Sequence, residues 1–133
     1  MELLRKLAKL GRGSTRETGA AAEDRALQHL QAAGLRLLER NYRTPGRGGG
    51  EIDLVMQAAD GTVVFVEVRQ RAGVAHGGAA ASVGATKQRR IVLAARHYLQ
   101  RWRVPPCCRF DVVALDGEAL HWLPAAFDAG SER

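Results

Sequence analysis

Apolar residues recur along the chain with two different periods. Over residues 15–33, Ala26, Leu27 and Leu30 fall three and four apart, the spacing of one helix face. Ser14 followed by Glu17 has the capping-box spacing and Gly34 supplies a stop, so this span is predicted to be a first helix. Glu23 precedes Ala26 and Leu27 by three and four positions, which puts its carboxylate at the edge of the buried stripe. A second long helix is predicted over residues 82–103. Its stripe is Lys87, Ile91, Ala94, Ala95, Tyr98 and Trp102, and Pro105-Pro106 breaks the chain after it. Between the helices, residues 51–57 and 63–71 are short and rich in β-branched side chains, the mark of strands. Residues 35–42 form a further candidate strand of ambiguous period. Residues 109–115 read as another, which Asp116-Gly117 turns into a last short strand over 119–123. Helices interleaved with strands in this order predict an α/β fold with a central mixed β-sheet flanked by helices.

The hairpin between the two central strands can be tested for register. With a two-residue loop, Leu54 faces Glu67 and Ile52 faces Arg69, mixing apolar and charged side chains on one face. With a three-residue loop, Ala59-Asp60-Gly61, with Gly61 left-handed, the paired positions sum to 120. One face is then wholly apolar: Ile52, Leu54, Met56, Val64, Val66 and Val68. The other carries Val55 opposite Phe65 and Asp53 opposite Glu67. Burial selects this second register, because a slip of one residue exchanges the faces. It sets two carboxylates directly opposite each other, a destabilising pair that calls for a cation. Arg69 on the same face could bridge them as a surface ion pair. A divalent metal such as Mg2+, which takes carboxylate and water oxygens, could do the same and activate water for phosphodiester cleavage.

Composition narrows the partners. The chain has 133 residues, enough for one domain with its own core, and no apolar run reaches the ~18–20 residues of a membrane span. The Gly-rich stretches 11–16, 44–50 and 72–81 read as loops and none separates a second domain. The expected organisation is a single domain over 1–133, with a basic arm over 1–14 and a flexible tail over 124–133. Twenty basic residues against 14 acidic ones give a net charge of +6, which favours a polyanionic partner. Of the bases, 17 are Arg and three are Lys: Lys6, Lys9 and Lys87. Cys107 and Cys108 are adjacent, unsuited to a relaxed disulfide with each other, and the N-terminus lacks the apolar core of a secretory signal. Both point to a reducing, cytoplasmic setting. His29, His76, His97 and His121 share no motif, and Gly48-Gly49-Gly50 lacks the Gly-Lys-Ser/Thr of a nucleotide-binding loop.

The run Gly50-Glu51-Ile52-Asp53-Leu54-Val55, followed by Val64-Phe65-Val66-Glu67-Val68-Arg69-Gln70-Arg71, resembles the PD-(D/E)xK nuclease core. More narrowly it resembles the YraN family, small bacterial proteins similar in fold to archaeal Holliday-junction resolvases. Asn41-Tyr42-Arg43, Ser82 with Lys87, Ala95 with Tyr98-Leu99, and Arg109-Phe110-Asp111-Val112-Val113 extend the likeness over most of the chain. The resemblance implies a restriction-endonuclease-like three-layer fold and a nuclease-like site for Mg2+ or Mn2+. Asp53 and Glu67 would be the metal ligands, Glu23 the auxiliary acid of the resolvase branch, Glu51 a contact to metal-bound water, and Lys87 and Gln88 part of the substrate side. It implies nucleic acid as partner, DNA and branched DNA above all, with a homodimer in keeping with resolvases that cut two strands.

One departure stands at the centre of the motif. The family lysine is replaced by Arg69, which can hold a phosphate but stays protonated and cannot act as a base. Either Arg69 performs an electrostatic role, or Lys87 reaches the acids from the second helix, or catalysis is lost and a non-catalytic nucleic-acid-binding module remains. At the end of its stripe, Lys87 could equally be a snorkelling surface lysine. Arg43 and Arg47 beside the Gly-rich loop, Arg71 on the Glu67 face, and Arg89 and Arg90 near a helix N-terminus are the candidate phosphate contacts.

Overall fold

The computed structural model describes residues 18–70 and 83–130. The expectations for Ser14, the basic arm over 1–14, Arg71, His76 and Ser82 lie outside the described residues. Among the described residues seven elements follow in the predicted order: α1 (Gly19–Ala32), β1 (Arg36–Arg43), β2 (Glu51–Gln57), β3 (Val63–Gln70), α2 (Ala85–Leu99), β4 (Cys108–Asp116) and β5 (Ala119–Phe127). The strands form one mixed sheet in the order β1-β2-β3-β4-β5. All neighbours are antiparallel except β3 and β4, which run parallel. A parallel pair needs a crossover of a dozen residues or more, and α2 lies within that connection.

Both faces of the sheet are covered. Ala22, Ala26 and Leu30 of α1 pack with Leu54, Met56, Val64, Val66, Val113 and Leu115. On the opposite face Ile91, Ala94, Ala95 and Tyr98 of α2 pack with Val55, Val63, Phe65, Phe110 and Val112. The result is a three-layer α/β arrangement with two cores.

Several limits differ from those expected. α1 opens at Gly19, not near residue 15, because Thr18 is extended and its hydroxyl accepts from Ala21 N at 3.1 Å. It stops where Gly34 takes φ +101°, as its position after the stripe predicts. α2 is shorter at both ends than the predicted span 82–103, opening after Gly84 and closing at Leu99, with Trp102 packed just beyond it. β5 runs past residue 123 to Phe127, so residues 124–127 belong to the sheet and not to a tail. The cause is Asp111, a fully buried carboxylate that accepts from Trp122 Nε1 and Ala125 N, both at 2.9 Å, and from Arg109 Nε at 3.0 Å. Those bonds hold β5 against β4 through a register shift at which Ala125 takes φ +51°.

Candidate functional site

The hairpin adopts the three-residue loop. Leu54 pairs with Val66, Val55 with Phe65, Met56 with Val64 and Gln57 with Val63, every pair summing to 120. Gly61 has φ +94° and its N–H donates to the Ala58 carbonyl. Asp53 and Glu67 therefore come together at the open end of the hairpin. Val68 N donates to Asp53 Oδ2 at 2.8 Å.

The face holding these acids is more buried than the sequence suggests. Val55, Val63 and Phe65 are sealed under α2, and Glu67 is only 5% exposed. With Glu67 facing Asp53 in a buried setting, ionising both carboxyls at once is disfavoured. Burial pushes the Asp53 carboxyl up to about 8, and the neighbouring Glu67 charge adds to the push while the Val68 N–H opposes it. Burial also raises Glu67, against the pull of Lys87 and Arg69. Both carboxyls are thus held above the ordinary carboxylate range, and the protonation of one is linked to that of the other.

Two cations reach Glu67 from different elements. Arg69 Nη1 approaches Glu67 Oε2 at 3.5 Å from the same strand. Lys87 Nζ approaches the same oxygen at 3.6 Å from the first turn of α2. Lys87 is 43% exposed, so its ammonium lies between the acid and solvent. Glu23, Asp53, Glu67, Arg69, Gln70 and Lys87 all line one depression of about 380 Å3, open to solvent.

Glu23 is held separately. Arg40 Nε donates to its Oε1 at 3.2 Å, and Arg40 also reaches Asp24 Oδ1 at 2.7 Å and the Ala20 carbonyl at 2.9 Å. With the Asn41 amide turned so that its nitrogen faces the acid, it donates to Glu23 Oε1 at 3.3 Å and Oε2 at 3.2 Å. Among the described residues, no three His, Cys, Asp or Glu side chains form a ligand cluster as they stand, and Glu23 lines the depression beside the Asp53–Glu67 pair. Arg40, Asn41 and Gln70 are additions that sequence reasoning missed. Asn41 carried a readable signal, since Asn is among the few residues that tolerate the left-handed conformation it adopts at φ +56°.

Two expected members fall elsewhere. Glu51 does not share the Asp53 depression. It pairs with Arg43 Nε at 3.5 Å and lines a second depression formed by the Gly-rich loop 44–50. The reason is a change of face between Leu54, which packs under α1, and Ile52, which packs under α2, so a parity count through Asp53 fails. Gln88 spends its amide on the Val83 carbonyl at 2.8 Å, steadying the start of α2. Arg43, Arg47, Arg89 and Arg90 are all exposed. Arg89 reaches Thr86 Oγ1 at 3.2 Å. Gly50 brings the loop against α2 at Arg90, where an added Cβ would stand 1.9 Å from the Arg90 carbonyl oxygen.

The donor set suits a hard divalent cation, with two carboxyl groups meeting at one side of a polar depression that opens to solvent. Comparison with known proteins gives a consistent family and no activity. Residues 22–115 match the family model described as "Uncharacterised protein family UPF0102". A UPF0102 protein of Paracidovorax citrulli is 72% identical, covering 88% of this chain and 87% of the relative. One of Albidiferax ferrireducens is 69% identical over 88% and 91%, and one of Acidovorax sp. is 66% identical over 87% and 88%.

Proposed function

The chain belongs to the uncharacterised protein family UPF0102, and from that starting point we propose that it is a metal-dependent phosphodiesterase with a PD-(D/E)xK-type site, acting on DNA. The observation that carries the reading is the approach of Lys87 Nζ to Glu67 within the depression that also holds Asp53 and Glu23. A site of this type pairs two acids with a lysine. The lysine absent from position 69 is supplied here by α2, and Arg69 remains beside it as a second cation.

Asp53 and Glu67 would hold Mg2+ or Mn2+, which when bound supplies Lewis acidity and a lowered water pKa. The chain's own residues account for the rest. Asp53 and Glu67 would both be ionised on taking a cation, so uptake would release the proton that burial keeps on the pair. Arg69 holds a phosphate oxygen and stays charged, whereas Lys87, an ammonium at the mouth of the depression, can both neutralise phosphate and exchange a proton. Glu23, held by Arg40 and Asn41, adds a fixed acceptor at the rim. The exposed Arg43, Arg47, Arg89 and Arg90 would meet flanking phosphates in a salt-dependent, sequence-independent manner.

One observation favours a second reading, that of a non-catalytic nucleic-acid-binding module. Arg69 and Lys87 together already balance Glu67 without a metal. The two readings separate in one experiment on purified protein with branched, single-stranded and duplex DNA, in Mg2+ or Mn2+. The phosphodiesterase reading expects cleavage that falls at least about 100-fold in Asp53→Asn and Lys87→Ala, the scale of losing one preorganised electrostatic contributor. Salt-sensitive binding without cleavage, equal in wild type and Asp53→Asn, would leave the binding module.

A further inference from the structure

The paired strands β1 and β2 change faces at one place. Arg40 turns to α1, bonding Glu23, Asp24 and the Ala20 carbonyl, and its partner Leu54 packs in the same α1-side core. Two residues on, Tyr42 and its partner Ile52 both pack in the α2-side core. In a regular strand, residues two apart share a face. The residues between are Asn41 on β1, in the left-handed region at φ +56°, and Asp53 on β2. The switch lets consecutive side chains, Arg40 and Asn41, both bond Glu23 of α1.

We propose that Asn41, with Arg40, is a positioning residue that fixes Glu23 at the rim of the Asp53–Glu67 depression. The inference rests on the metal-site reading above. Glu23 lies on a helix and its targets on a sheet, so α1 packing alone leaves the carboxylate free to rotate. Three donor contacts, one from the Arg40 guanidinium and two from the Asn41 amide, remove that freedom. They leave part of the lone-pair capacity of Oε2 available for a cation's water. Outer-shell partners of this sort typically change metal affinity about 10–100-fold when removed.

Gly is the informative substitution, since Asn41→Gly keeps the left-handed backbone without strain and removes only the amide. Mn2+ affinity, measured by calorimetry and by the manganese electron paramagnetic resonance signal, should fall about 10-fold or more in Asn41→Gly. It should fall comparably in Glu23→Gln, and the double variant should bind no more weakly than Glu23→Gln, the mark of two residues acting as one unit. Asn41→Asp, which sets a carboxylate against Glu23, should lose at least as much. In the metal-free protein the Asn41 side-chain amide resonances should shift on Glu23→Gln. Wild-type affinity in Asn41→Gly, losses that multiply in the double variant, or unmoved amide resonances would each overturn the inference while leaving the metal site standing. A wild-type chain that takes up no Mn2+ overturns both.

Discussion

Replacing Asp53 by asparagine should make the folded chain more stable at neutral pH and less sensitive to pH. Asp53 sits beside Glu67 with a carboxyl pushed up to about 8 from an ordinary value near 3.8. A folded value above the unfolded one means that the native chain binds the extra proton. This contribution to stability is fully present below about pH 4 and is lost as pH rises through about 8. Inside that window the slope approaches about 1.4 kcal/mol per pH unit, so moving from pH 5 to pH 7 should cost the wild type about 2–3 kcal/mol. Glu67 is raised as well and acts in the same direction, with Lys87 and Arg69 restraining it. Against a typical total of about 5–15 kcal/mol, the loss is large enough to measure. The amide introduced by Asp53→Asn would keep an oxygen for the Val68 N–H and could not ionise. Urea denaturation followed by tryptophan fluorescence at half-unit steps from pH 5 to 8 is the assay. The variant should match the wild type within about 1 kcal/mol at pH 5 and exceed it by about 3 kcal/mol at pH 7.5. Parallel pH profiles for the two proteins would refute the reasoning, since they would mean that the carboxyl pair does not hold its proton.

Mg2+ should stabilise the wild type most at pH 8, where the pair is losing its proton. Tenfold excess over Kd should add about 1.4 kcal/mol, with no effect on Asp53→Asn, read as a change in Tm. Lys87→Met removes one of the two cations on Glu67 and should destabilise the chain by up to about 1 kcal/mol at pH 8, and by less at pH 5, where Glu67 is closer to protonation. Asp111→Ala strips partners from Arg109, Trp122 and the Ala125 N–H inside a fully buried network. It should cost about 3 kcal/mol or more by urea denaturation, with Trp122 fluorescence altered in the folded state. Gly61→Ala, at φ +94° in the hairpin loop, should cost about 1 kcal/mol without changing the register.

The hairpin shows what a sequence can disclose. Its register follows from one count, because only the three-residue loop keeps the apolar set together, and that count also brings Asp53 to Glu67. Glu23 and Lys87 are readable from their offsets to buried helical positions, and both line the depression. Glu51 is misjudged because strand parity assumes an unbroken pleat, whereas the left-handed Asn41 and the face change beside it break the pleat at the site itself. Gln88 looks like a surface ligand because nothing in its neighbours announces that the Val83 carbonyl will need a donor. The length of β5 is hidden for a related reason. The apolar pattern marks a strand only over 119–123, and only the folded Asp111 network shows how it continues through Pro124 to Phe127.

Gly50 has a mechanical consequence. Its lack of a side chain lets the Gly-rich loop touch the backbone of α2 at Arg90 and approach Ala94, where an added Cβ would lie 3.2 Å from the Ala94 Cβ. Lys87 extends from the turn just before that contact. The thickness of residue 50 therefore gauges how far the helix stands off the sheet, and with it the reach of the lysine to Glu67. A single methyl group here, touching neither acid nor cation, would act as a shim between the two charges of the site.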